Sequence, residues 1–293
     1  MFYANGDRSN IEIKNISVTD KKITFDISFG KPEKIIVGWH KEGIYYYYYD
    51  KTGNKLKGVV GIDGKNYYFD DNYRLATGWK KINGKYRFFN NSADYKKCHE
   101  LSYTGKEGGW VTLSDGRKSN IHSSKGILKG MQSISSKKYY FDSVGIMKKN
   151  SWQISGEYYY YATGNGSMAT GVVKIDGKNY YFNSNCCLST GWYKISGKYR
   201  FFDNNSNYKK RFELTYKGKV GGWITLPDGR KSYIHSKNGV YKGLKTISGK
   251  KYYFDSVGIM KKNSWQKSGD YYYYATSNGS LAKGVVKISG KNY

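Results

Sequence analysis

The chain has 293 residues, with 33 tyrosines, 36 glycines and only 5 methionines, and 50 Lys and Arg against 22 Asp and Glu give a formal charge of +28. An aromatic share of 18% excludes a disordered polar chain, and the scarcity of good helix formers excludes a helical bundle. No apolar run reaches the roughly 18 residues of a membrane-spanning helix, and the basic residues are spread along the chain, so the whole surface attracts polyanions such as wall polymers, anionic polysaccharide or nucleic acid.

The first ten residues, MFYANGDRSN, lack the basic and apolar regions of a signal peptide. The segment after them alternates apolar residues at Ile11, Ile13 and Ile16 and then at Ile23, Phe25 and Ile27, which predicts a β-hairpin within residues 1–30. Such a hairpin reads as the tail of an upstream domain.

From residue 38 to 293 the chain repeats itself. GVVGIDGKNYYFD begins at Gly58, GVVKIDGKNYYFN at Gly171 and GVVKISGKNY at Gly284, each start 113 residues after the last. Two whole copies, 58–170 and 171–283, are flanked by partial copies at 38–57 and 284–293. All seven tryptophans obey the lattice: Trp39, Trp152 and Trp265 correspond, as do Trp79 and Trp192, and Trp110 and Trp223. The cysteines do not. Cys98 corresponds to Arg211, and Cys186 and Cys187 to Tyr73 and Arg74, so they have no assigned role, and their spacing suits neither zinc nor a disulfide framework.

Within each copy a shorter rhythm of about 20 residues places an X-Gly pair between a short apolar strand and an aromatic one. Asp63-Gly64, Asn83-Gly84, Asp115-Gly116, Ser155-Gly156, Asp176-Gly177, Ser196-Gly197, Asp228-Gly229 and Ser248-Gly249 are the examples. Asp-Gly and Asn-Gly suit the two-residue type I′ turn, whose central residues both need positive φ. Each unit therefore reads as one hairpin. A lone hairpin is marginal in water, so successive hairpins must bury their faces on each other. The predicted fold class is all-β, an elongated solenoid of stacked β-hairpins preceded by a short N-terminal hairpin. Alternation puts Tyr67 and Phe69 on one face and Tyr68 on the other, which makes most of the tyrosines structural.

No catalytic, metal or cofactor site emerges. His99-Glu100 lacks the second histidine of an HExxH helix. His122 and His235 recur in RKSNIHS and RKSYIHS, but each lies a few residues from its serines on one strand, without a nucleophile elbow or phosphate loop. Asp63, Asp115 and Asp228 occupy turn positions.

The succession of GW, xxxxGKxYYF and xxxGxMxxG resembles the cell-wall-binding repeat superfamily, which includes choline-binding repeats, glucan-binding repeats and the C-terminal repeats of large clostridial toxins. Gly78-Trp79, Gly84-Lys85-Tyr86, the run Gly64 to Phe69 and their copies carry the resemblance. It implies ligand sites between successive hairpins, walled by the GW tryptophan and the YY pair. The residues carried over are Trp79 with Tyr67 and Tyr68, Trp192 with Tyr180 and Tyr181, and Trp152 and Trp265 with the tyrosine runs 158–161 and 271–274. Choline-binding repeats place a second Trp before the tyrosine pair, completing a cage for a quaternary ammonium. Here Asn66, Asn179, Lys138 or Lys251 stands there, which favours stacking of a sugar ring or contact with an anionic wall polymer. Residues 1–30 are similar to the C-terminal end of an immune-inhibitor-A-like secreted metallopeptidase.

The expected function is a non-catalytic module binding a cell-wall polysaccharide, a teichoic-acid-like polymer or another glycan, which anchors a secreted or cell-surface bacterial protein of which this chain is a fragment. Two alternatives share its composition. One is a host-glycan adhesin or toxin-type repeat region. The other is nucleic-acid binding through basic and aromatic residues, against which the missing RNP-type motif and the near-identity of the repeats argue.

Overall fold

A computed structural model describes residues 11–29 and 35–293. The readings made for residues 1–10, including the missing signal peptide, and for residue 30 fall outside the described residues. Among those described, two single-turn 3-10 helices, Tyr95–Lys97 and Tyr208–Lys210, interrupt a chain otherwise built of strands and turns. The architecture is all-β and consists of stacked hairpins.

The turns follow the residue chemistry. At Asp63-Gly64 both residues have positive φ (48° and 74°), and Asn83-Gly84, Asp176-Gly177, Ser196-Gly197 and Ser248-Gly249 match it. These are the expected type I′ turns. Three of the expected pairs behave differently. At Asp115-Gly116 and Asp228-Gly229 only the glycine has positive φ. The turn there is wider, closed by the Leu113 N–H on the Arg117 carbonyl at 2.8 Å, and the Asp115 carboxylate accepts the Arg117 N–H at 3.1 Å. At Ser155-Gly156 the strand runs on through Ser155, which pairs with Tyr158, so the turn is Gly156-Glu157 with only the glycine at positive φ. That is the type II′ pattern.

Two compact units divide the chain: residues 1–132 with 141–147, and residues 133–140 with 148–293. In the first unit, strands Gly58–Ile62 and Lys65–Phe69 form a hairpin whose Ile62, Tyr67 and Phe69 are buried against Trp39, Tyr48 and Leu75. A second cluster joins Phe88, Leu113 and Ile146 to Trp79 and Tyr103. In the second unit, Ile175, Tyr180 and Phe182 pack with Trp152 and Tyr161, and Phe201, Leu226 and Ile259 pack with Trp192 and Tyr216.

A phenylalanine ends six of the aromatic strands and recurs through this core: Phe69, Phe89, Phe141, Phe182, Phe202 and Phe254 are all essentially inaccessible, while Ala162 and Ala275 take the place in the YYYYA strands. Each such ring contributes about 2–3 kcal/mol of burial free energy. The chain leaving a hairpin then reaches back to an earlier strand through its backbone. Leu75 donates to the Tyr46 carbonyl at 2.8 Å, Met168 to Lys138 at 2.8 Å and Met260 to Lys231 at 2.7 Å. The xxxGxM segment is thus the clasp between neighbours, which explains its recurrence.

Strands Ile11–Thr19 and Lys22–Phe29 form the N-terminal hairpin, with Ile11 opposite Phe29, Ile13 opposite Ile27 and Val18 opposite Ile23. Its register shifts around Asn15, which adopts φ 53°. Every residue of these two strands is exposed.

Candidate ligand-binding aromatic clusters

The largest recurring constellation surrounds the tryptophan of the first strand. Trp39 lies directly across its hairpin from Tyr48. Its ring meets Tyr48 at 5.3 Å, Tyr67 of the next hairpin at 5.0 Å and Tyr95 of the 3-10 turn at 5.0 Å, with interplanar angles of 63–81°. Trp152 repeats this with Tyr161 at 5.3 Å, Tyr180 at 5.1 Å and Tyr208 at 5.1 Å. These edge-to-face contacts set the positive rim of one ring on the negative face of another. Trp265 keeps two of the walls, Tyr274 and Tyr293, both at 5.3 Å, and is 44% exposed.

Hydrogen bonds lock the walls. The Tyr67 hydroxyl donates to the Lys96 carbonyl at 2.7 Å and that of Tyr180 to the Lys209 carbonyl at 2.6 Å, pinning the 3-10 turn over the tryptophan. Burial pushes both phenols above their ordinary pKa, so they remain donors across the physiological range. Tyr95 also stacks on Tyr46, and Tyr208 on Tyr159, each at 4.3 Å.

Smaller clusters occupy the next tryptophans. Trp79 packs on Phe88 at 5.2 Å and Tyr103 at 5.1 Å and donates its indole N–H to Ser119 Oγ at 3.1 Å. Trp192 matches it with Phe201, Tyr216 and Ser232. Trp223 meets Tyr233 at 5.3 Å and Tyr252 at 5.0 Å. Its first-copy counterpart, Trp110, lies over Phe141 at 5.7 Å, and a buried Asn120 replaces Tyr233.

The structure regroups the residues expected at the sites. Tyr67 and Tyr180 are buried, 4% and 5% exposed, and belong with Trp39 and Trp152 rather than with Trp79 and Trp192. Tyr68 lies on the other sheet face beside Phe89 at 5.4 Å, with the Lys80 ammonium 5.4 Å from its ring. Tyr181 stands against Tyr193 at 4.2 Å and Phe202 at 5.4 Å. Trp152 and Trp265 do meet the tyrosine runs assigned to them, through Tyr161 and Tyr274.

Tyr95 and Tyr208 escaped the sequence reading because they lie in the long unit, outside the GKxYYF motif. So did the partners of the substituted cage position. Asn66 donates to Glu100 Oε2 at 3.0 Å, and Glu100 accepts a two-point bond from Arg87, Nε at 2.6 Å and Nη2 to the second oxygen. Asn179, Glu213 and Arg200 repeat the triad. The arginine beside each glutamate holds its carboxyl below the ordinary range.

The recurring histidines serve turns. His122 Nδ1 accepts the N–H of Ser124 at 3.2 Å and of Lys125 at 3.3 Å, and His235 Nδ1 accepts from Lys237 and Asn238. All three cysteines are free thiols, and burial pushes those of Cys98 and Cys186 up. Among the described residues no three His, Cys, Asp or Glu side chains gather as a metal site would require. What the clusters offer chemically is rigid aromatic surface edged with lysine and arginine.

Residues 128–171, 169–211 and 241–284 match the choline-binding repeat family. A glucosyltransferase-S of Streptococcus mutans is 28% identical over 225 residues, 75% of this chain and 13% of that protein. Glucosyltransferase-I of Streptococcus downei is 26% identical over 272 residues, 83% of this chain and 17% of that protein. The chain therefore spans less than a fifth of the length of these curated relatives. Among solved structures, CbpJ of Streptococcus pneumoniae aligns over 87% of this chain and 97% of its own, at 22% identity and a TM-score of 0.37.

Proposed function

We propose that the chain is a binding module for cell-wall or glycan polymer, as its three choline-binding-repeat matches and its glucosyltransferase relatives support, and that it holds its polymer on the aromatic clusters of Trp39, Trp152 and Trp265. The observation that carries this reading is the reproduction of one ring constellation at an interval of 113 residues. A floor ring such as Phe69 is constant for packing. The walls at Trp39 are three tyrosines, whose polar tips and apolar faces suit the mixed surface of a sugar.

Geometry favours a sugar over choline. A trimethylammonium group sits between aromatic walls that stand apart, within about 6 Å of each ring centre. At Trp39 and Trp152 the walls already touch the indole, at 5.0–5.3 Å. The half-buried indole acts as a platform with closed flanks, on which a pyranose ring stacks. The relatives' name, glucosyltransferase, agrees with a sugar ligand. Several such platforms on one polymer multiply weak contacts into firm retention, and the lysine-rich surface draws in polymers that also carry phosphate.

The parent protein is then secreted or held at the cell surface, with the hairpin within residues 1–30 as the last strands of a preceding domain. No helix of the described residues is long and apolar enough to cross a membrane.

The test is retention of the purified chain on insoluble α-glucan and on Gram-positive walls, before and after extraction of teichoic acids, over a salt series. Retention at high salt that falls on Trp265→Ala, an exposed position, and further with Trp152→Ala supports the platforms. Complete loss at moderate salt, with single-stranded nucleic acid competing equally, means that the charge of +28 alone does the binding.

A further inference from the structure

Beside its Trp79 or Trp192 cluster, each whole copy holds an open groove that the platforms do not use. The first, about 530 Å³, runs past Lys85, Tyr86, Arg87, Tyr103 and Glu107. The second, about 680 Å³, runs past Lys198, Tyr199, Arg200, Tyr216 and Val220, and Glu213 closes its base. The two sets correspond one to one at the 113-residue interval.

These walls are built rather than incidental. Tyr103 donates its hydroxyl to the Tyr86 carbonyl at 3.1 Å, and Tyr216 to that of Tyr199 at 3.0 Å. Gly126 and Gly239 pass so close to the Tyr86 and Tyr199 hydroxyls that a Cβ there would lie 2.7 Å and 3.1 Å from the oxygen. Arg87 and Arg200 spend Nε and Nη2 on their glutamates, which leaves Nη1 as an uncommitted donor beside the tyrosine.

The grooves differ in charge at one point. The Arg–Glu pairs cancel internally, so the balance rests on the lysine and on the rim. Glu107 offsets Lys85 in the first groove. In the second, the counterpart of Glu107 is Val220, 47% exposed, so the rim beside Lys198 lacks that carboxylate.

Resting on the glycan reading above, we propose that the second groove is a subsite for a phosphate-bearing sugar unit, and that Glu107 excludes such a unit from the first. The sugar lies against Tyr199 and Tyr216, and its phosphate oxygens accept hydrogen bonds from Arg200 Nη1 and the Lys198 ammonium. A carboxylate at the rim repels that phosphate, and at a few ångströms near a surface one such charge shifts affinity by about tenfold.

Calorimetric titration of the full chain with glucose 1-phosphate, inorganic phosphate and methyl glucoside tests this. Val220→Glu is expected to weaken glucose 1-phosphate about tenfold without moving methyl glucoside, and Glu107→Val to add a second phosphate-sugar site to the stoichiometry. Both positions are exposed, so the fold is left alone. Glucose 1-phosphate binding that is unchanged in both variants, or no tighter than inorganic phosphate, overturns the proposal. Retention of Val220→Glu on insoluble α-glucan is read in parallel: it persists if the platforms work, whatever the groove does, and its absence in the unaltered chain marks failure of the platform reading instead.

Discussion

Hairpin 11–29 and hairpin 171–182 are the same element in opposite circumstances. Each is a pair of antiparallel strands with apolar residues on one face. In the first, every residue is exposed, and Ile11, Ile13, Ile23, Phe25, Ile27 and Phe29 form an uncovered apolar face. In the second, Tyr180 and Phe182 are buried beneath Trp152, Tyr161, Leu188 and Phe212. Alternation makes a hairpin, but a neighbour makes it stable. For hairpin 171–182 the repeat supplies that neighbour, with Trp152 and Tyr161 of the hairpin before packed against Phe182.

The comparison breaks most visibly if the floor is removed. Phe182→Ala is expected to destabilise the second unit by about 3–5 kcal/mol, measured by denaturant unfolding, whereas Phe25→Ala in the first hairpin leaves that transition in place.

The polar anchor between hairpins comes next. The carboxyls of Glu100 and Glu213 are held below their ordinary range chiefly by Arg87 and Arg200, so their contribution is complete above the unfolded carboxylate pKa of about 4.3 and is lost as pH falls through the lowered folded value. Glu213→Gln is expected to cost about 1–3 kcal/mol at neutral pH and to flatten acid unfolding below about pH 4.3. An acid-unfolding profile that keeps its full slope in this variant rules the pair out as its source.

Turn chemistry is a smaller lever. Gly177 adopts φ 79° in a type I′ turn, so Gly177→Ala should cost about 1–2 kcal/mol. The least effect is expected at the uncovered face, where Phe25→Ser changes stability by no more than about 0.5 kcal/mol. A much larger loss there, seen by hydrogen exchange of the hairpin amides, would show that this face is covered in solution.

Much of the fold was legible because its determinants are local. The turns at Asp63-Gly64, Asn83-Gly84 and Asp176-Gly177, the alternation of Tyr67 and Tyr68, and the lattice of the seven tryptophans all follow from residues within one hairpin or from counting, whereas Asp115-Gly116 and Asp228-Gly229 form a wider turn in which only glycine takes positive φ. Ser155-Gly156 misled because the pair does not say whether glycine takes the first or the second turn position. Only the pairing of Ser155 with Tyr158 settles it. The site was less legible for a related reason. Trp39 and Tyr67 belong to different hairpins, and stacking, not sequence proximity, selects which tryptophan a tyrosine meets. Asn66 looked like a missing cage wall. Its amide serves Glu100, and Tyr95, from a segment without the repeat motif, brings a ring to the cluster.

The 113-residue lattice also bears on how such a chain changes over generations. Removing residues 58–170 would join Lys57 to Gly171, where residues 171–182 reproduce 58–69 with the single exception of Lys174 for Gly61. Unequal recombination between the copies therefore shortens or lengthens the array by whole periods while each new junction keeps its old neighbours. The number of tryptophan clusters becomes a heritable quantity, adjustable in a single genetic event without a new interface having to be invented.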